Sequence, residues 1–207
     1  MSAAVMMMSD LLDLAIGRQA TPVGPASRKQ FTLAAGLGAL ALAAVWGLAA
    51  GSSSWLLALG NAYKLPMVVL LSSICAIPAG LLALRLTGLV YSGRDLLLSF
   101  ATSVFAGSLA LAVLSPLVAL YYNTSAWAGP YLGLGSACAA IIVAIVSFVR
   151  STIARSEPSP NRGLLAIPIV VMVFMQLAAL LQLIALASPI LPETTIFDSG
   201  IDHVVRS

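Results

Sequence analysis

Along this chain, apolar stretches of roughly twenty residues alternate with short polar breaks. The stretches cover residues 31–50, 65–86, 96–120, 129–149 and 164–187. A helix rises about 1.5 Å per residue, so about 20 residues cross a hydrocarbon layer about 30 Å thick. Each stretch is expected as one membrane-spanning helix, and the pattern predicts an all-α polytopic bundle of five spans. Residues 31–189 form the membrane domain on this reading, with an N-terminal segment at 1–30 and a C-terminal tail at 190–207.

Small residues recur at helical spacing inside the spans. Ala35, Ala39, Ala43 and Gly47 form a ladder on the first, Ser99, Ser103 and Gly107 on the third, and Gly129, Gly133 and Ala137 on the fourth. In lipid, helices associate through close packing, and such ridges let backbones approach. The alternative is that alanine and glycine are simply common here. Prolines fall inside four of the runs. Pro66 lies in the first turn of the second span, where proline is tolerated. Pro78 removes a mid-membrane hydrogen bond and predicts a kink near Ile74. Pro116 is expected to bend or end the third span. Residues 51–63, with Ser52, Ser53, Ser54 and Trp55, read as a cap and a short interfacial helix preceding the second span.

Residues 1–17 carry a weak amphipathic pattern, with Met8, Leu11, Leu12, Ala15 and Ile16 opposite Ser9, Asp10 and Asp13. The pattern fits a helix on the membrane surface or docked on a partner, and equally a frayed tail. Residues 20–27 read as a linker. The acidic residues and the missing basic start argue against a secretory signal. Cys75 and Cys138 fall in apolar runs without metal or redox spacing and are expected as buried small hydrophobes.

Composition sharpens the class. The chain is 60% hydrophobic and 8% charged, against roughly 25% charged in soluble domains, and its mean hydropathy is +1.04. A net charge of +3 is too small and scattered for nucleic acid. It works better as an orientation signal. With a cytoplasmic N-terminus, Arg18, Arg28, Lys29, Arg85, Arg94, Arg150, Arg155 and Arg162 share the cytoplasmic side, leaving Lys64 and Arg206 outside. The positive-inside rule then gives N-in, C-out, in a bacterial inner membrane.

The same inventory narrows the chemistry. The single histidine, His203, lies in the tail, and no carboxylate lies within a span. A His-based dyad, paired aspartates or an intramembrane proton carboxylate cannot be built. No phosphate-binding loop, dinucleotide fingerprint or zinc motif is present. No catalytic residue and no metal ligand is assigned, and no cofactor is evident. A lipid, pigment or quinone held by apolar contacts alone would leave almost no trace. Asn123-Thr124-Ser125 and Leu191-Pro192-Glu193-Thr194 read as chance matches to a glycosylation sequon and a sortase signal. Three polar groups remain. Gln176 and Gln182, about 120° apart on the fifth span, line a polar path or form interhelical hydrogen bonds. Lys64 is an interfacial anchor or a lipid contact. Arg85, Arg94 and Asp95, in the turn between the second and third spans, dock a partner or an anionic lipid, or simply set topology.

The block running through Trp55, Lys64-Leu65-Pro66, Pro78, Gly88 and Leu114-Ser115-Pro116 resembles uncharacterised bacterial multi-pass proteins, and its five-span plan is similar to that of Yip1-domain membrane proteins. The resemblance covers residues 50–150. It implies a membrane-organising or complex-associated protein without an enzyme site, and it assigns no functional residue. The expectation is a non-enzymatic structural or accessory subunit whose partners are lipids and other membrane proteins or a second copy of itself. The alternative is a small channel or carrier built on kinked helices and the two glutamines.

Overall fold

A computed structural model describes residues 9–14, 25–124, 128–156, 162–187 and 190. The described residues form an all-α bundle without strands. Its long helices are α1 (Pro25–Ala50), α2 (Trp55–Leu86), α3 (Gly93–Thr124), α4 (Ala128–Arg155) and α5 (Ala166–Ala187), the last entered through a 3-10 turn, Arg162–Leu165. All five are long and apolar enough to cross a membrane, and the chain is an integral membrane protein on that pattern. The expected linker at 20–27 falls mostly outside the described residues, as do the loop prolines 158 and 160, Trp127 and the tail beyond Ile190.

The helices extend past the apolar runs that announced them. α2 starts at Trp55, so the expected interfacial helix and the second span are one continuous helix of 32 residues. Ser54, in extended conformation, marks its start, and no breaker separates residue 55 from Pro66. Pro78 does not interrupt it. Pro116 neither ends nor breaks α3, which runs on to Thr124. A proline forfeits one backbone bond, and the neighbouring turns in a long helix hold the geometry. α4 passes through Arg150, expected as its stop, and reaches Arg155. Its last turn is capped by Arg162, which donates to the Ser156 hydroxyl at 2.7 Å and to the Ile153 carbonyl. A guanidinium at a helix C-terminus satisfies free carbonyls and complements the dipole.

Successive helices run in alternating directions but do not all pack on each other. α3 lies against α1 and α4, and α2 lies against α1 and α5, so α1 separates the two sequence neighbours α2 and α3. Adjacency therefore runs α5–α2–α1–α3–α4, with light contact between α4 and α5 and between α2 and α3. One apolar core joins α2 to α5 near the arginine-bearing end, through Ala76, Leu96, Phe100, Phe148 and Met172. The Phe100 and Phe148 rings meet edge to face, with centroids 5.6 Å apart. A second core at the opposite end gathers Trp46, Ala50, Leu65 and Ile190.

Two expectations for buried groups change. Cys75 and Cys138 are exposed on the outside of the bundle rather than packed within it. An apolar thiol is at home against lipid, so an apolar run alone does not say which way it faces. Residues 9–14 are helical, and Leu11 and Leu14 are buried. Leu11 packs with Ala35, Ala39 and Phe105, so this segment docks on α1 and α3 of its own chain.

Candidate functional site

The small-residue positions lie where helices come closest. Ala35, Ala39 and Ala43 are fully buried along α1, while Leu33, Leu37 and Val45 on its other side are exposed. Gly47 sits against α2 so closely that a Cβ there would overlap the Asn61 carbonyl oxygen. Gly107 faces α4, where a Cβ would stand 3.0 Å from both the Ala140 oxygen and the Ala144 methyl. Gly129 and Gly133 receive the Tyr122 ring of α3, at 2.9 Å and 2.8 Å from the positions their Cβ atoms would take. Ala137 is only half-buried, and the buried positions beside it are Ser136 and Ala140.

A polar seam runs inside the bundle beside these contacts. Ser99, Thr102, Ser103, Ser108, Ser136, Ser147, Ser151 and Thr152 are buried on α3 and α4. Many hydroxyls bond back to their own helix, as Thr102 does to the Leu98 carbonyl at 2.9 Å. Others cross between helices. The Trp46 indole of α1 donates to the Ser136 hydroxyl of α4 at 3.0 Å. Ser99 and Ser103 were expected here as packing residues; the other groups were missed in the sequence, because serine and threonine at scattered positions carry no periodic signal of their own.

The polar candidates separate in space. Gln176 is half-buried, and its amide nitrogen reaches the Ser72 and Ser73 hydroxyls of α2 at 3.4 Å each. Its Oε1 is buried without a donor among the described residues. Gln182 is exposed on the outside of α5, so the two glutamines do not share a path. Lys64 is half-buried one turn beyond Asn61. Asn61 is wholly buried and donates to the carbonyl of Ile190, tying the chain after α5 to α2.

At the other end of the bundle, charge accumulates. α2 closes with the Thr87 N–H on the Ala83 carbonyl at 3.1 Å, and Gly88 follows at φ 66°, the left-handed conformation that glycine adopts without cost. This turn leads through residues 89–92 into α3, whose first turn holds Arg94 and Asp95. Arg28 of α1 pairs with Asp95, its Nη1 3.2 Å from Oδ1. Arg28, Arg85 and Arg94 line a recess of about 800 Å³ whose apolar wall includes Leu81, Leu84 and Leu97. Arg85 and Arg94 are exposed, and neither guanidinium pairs with an acidic side chain among the described residues.

A second recess of about 450 Å³ adjoins the first through Leu89, Tyr91 and Ser92, and reaches Asp95 and Arg155. Arg155 Nη1 donates to the Ser99 hydroxyl at 2.8 Å and the Ser151 carbonyl at 3.1 Å. Its Nε and Nη2 are buried with no acceptor among the described residues. Burial pushes the Tyr91 phenol above its ordinary value of 10.0, against the pull of Ser99 and the Arg155 charge. The phenol is thus a neutral donor at physiological pH, and its buried hydroxyl has no aligned partner. Sequence reasoning found Arg85, Arg94 and Asp95 in the turn. It missed Arg28 and Arg155, which arrive from helices distant in the chain.

Among the described residues, no three His, Cys, Asp or Glu side chains gather as a metal site would require. No family model matches the chain, and no curated protein or solved structure is found similar to it.

Proposed function

We propose that this protein is a non-enzymatic integral membrane subunit that works by packing, against a second copy or within a larger membrane complex. The observation that carries this reading is how its polar and small groups are used. The tightest contacts between helices, at Gly80 and Gly47, join its own helices. Buried hydroxyls such as those of Thr102, Ser103 and Ser136 bond their own helices or cross to a neighbour. On the lipid-facing side of the spans, what remains for interaction is apolar: Ile167, Val170, Phe174 and Leu181 make an exposed stripe on α5, the span with the smallest buried share. The arginine-bearing end is the cytoplasmic one on this reading, which gives N-in, C-out in a bacterial inner membrane. The five-span likeness to Yip1-domain proteins agrees with an organising role.

The test is purification of the full chain from native membranes in a mild detergent. A stoichiometric assembly or a defined oligomer is expected. A chain that is always monomeric and alone would overturn the proposal. A second reading, a small channel or carrier, rests on the buried Gln176 Oε1, which lacks a donor. It requires solute flux in liposomes that Gln176→Leu abolishes.

A further inference from the structure

We propose that the recess between α1, α2 and α3 binds a phosphate-bearing anion, clamped by Arg85 and Arg94 with Arg28 at its wall. This inference does not rest on the accessory-subunit reading. Its first support is charge. Three guanidiniums line the recess, and the one acidic side chain among the described residues lining it or the adjoining recess, Asp95, is paired to Arg28. Arg85 and Arg94 come from opposite sides of one tight turn, so they face the same space from two helices. A planar guanidinium matches phosphate oxygens two at a time.

The second support is unmet hydrogen-bonding capacity. The adjoining recess holds two buried donors of Arg155 that find no acceptor among the described residues, and the unaligned hydroxyl of Tyr91. A buried charged donor left unmatched is costly, and oxygen acceptors from an occupant or its water shell remove that cost. The third support is shape. The wall of Leu81, Leu84 and Leu97 lies beside the arginines, an amphipathic cradle in which a phosphate meets the basic rim and a hydrocarbon chain the leucines. A phospholipid headgroup and free phosphate share this recognition chemistry. The leucine wall favours the lipid.

The experiment uses the full-length protein in detergent, with displacement of a fluorescent phosphatidylglycerol as the readout. Unlabelled phosphatidylglycerol is expected to compete well and phosphatidylcholine poorly. Arg85→Gln and Arg94→Gln are each expected to weaken binding roughly fivefold, as for a basic residue at an anionic membrane surface. Arg150→Gln removes the same charge from an exposed position outside both recesses, and it is expected to change little. Inorganic phosphate at millimolar concentration identifies the source. Displacement by phosphate alone supports the site with a soluble ligand, and retention of the lipid assigns it to the headgroup. Equal competition by phosphatidylcholine in the native protein would overturn the proposal. So would an equal loss in Arg150→Gln, which would mean a diffuse basic surface. The lipid-selectivity comparison needs no variant, so it decides even if a substitution harms folding.

Discussion

Where α3 meets α4, backbones touch. Where α5 meets α2, side chains do. At the first contact Gly107 lets the Ala140 carbonyl come within 3.0 Å of its missing Cβ, beside the buried hydroxyls of Ser99, Ser103 and Ser151. At the second, Met172 lies across Gly80 and Gln176 reaches for two serines. Of the most apolar window of each helix, 33% is buried in α3 and 28% in α4, against 33% in α2 and 22% in α5, so α5 is the least covered of the four. A backbone contact has no rotamer to adjust, so it fixes helix position. A thioether and an amide with several rotatable bonds can follow small shifts. The α1–α3–α4 side is thus the rigid frame, and α5 is the adaptable edge that meets lipid or a partner.

The hardest test of that contrast is Gly107→Leu. The added branch must enter space held by the Ala140 carbonyl and the Ala144 methyl, neither of which can rotate away. Overpacking of this kind costs about 3 kcal/mol, and thermal unfolding in detergent is expected to show most of it. Gly36→Leu is the matched control, because nothing lies within 4 Å of its Cβ position. Equal losses at both glycines would remove the distinction between frame and surface.

At the adaptable edge, Gly80→Ala places a methyl where Met172 now lies. Met172 is fully buried, so it must repack, at a cost of about 1 to 2 kcal/mol. The two positions share one space, so their effects are expected not to add. Met172→Ala should cost less in the Gly80→Ala background than in the native one. Strict additivity in this double-mutant cycle would mean that the thioether does not hold α5 to α2.

The architecture was legible in the sequence because hydropathy runs at span length are hard to produce otherwise. Their ends were less so. Polar residues such as Arg150 and Asn61 do not stop a helix whose backbone bonds continue inside the bundle, and a proline such as Pro116 is carried by the turns around it. Packing order was hidden as well. The turn at residues 87–92 joins α2 to α3, yet α1 separates them. The small-residue ladders marked buried faces at Ala35, Ala39 and Ala43, but their partners were invisible. Nothing in the spacing of Gly129 and Gly133 indicates that a tyrosine ring fills the space. The basic end was half legible for the same reason. Arg85, Arg94 and Asp95 are neighbours in sequence, whereas Arg28 and Arg155 join them only through tertiary packing.

A finer probe of the rigid side is the bond from the Trp46 indole to the Ser136 hydroxyl, 3.0 Å long and buried. Trp46→Phe removes the donor along with part of the ring. Ser136→Ala removes the acceptor alone. Interhelical hydrogen bonds in membranes contribute about 0.6 kcal/mol, so the coupling energy in a cycle of these two changes is expected near that value. A coupling of zero would leave α1 and α4 linked through α3 alone.

The smallest expected effect separates the two glutamines of α5. Gln182 is exposed on the outer face, and Gln182→Leu exchanges an amide for an apolar group at a site where lipid is the neighbour. Stability in detergent is expected to stay within about 0.5 kcal/mol, as for surface substitutions generally. Gln176→Leu loses long contacts to Ser72 and Ser73, at 3.4 Å each, but it also removes the buried Oε1 that has no donor. The two consequences oppose each other, so the net change is again expected to be small, about 0.6 kcal/mol or less. The two variants should differ in their response to the partner helix. Substituting both Ser72 and Ser73 with alanine should cancel the effect of Gln176→Leu and leave that of Gln182→Leu untouched. If Gln182→Leu instead weakened an assembly while leaving the monomer's stability alone, its amide would be a contact between subunits, and the adaptable edge would be the interface.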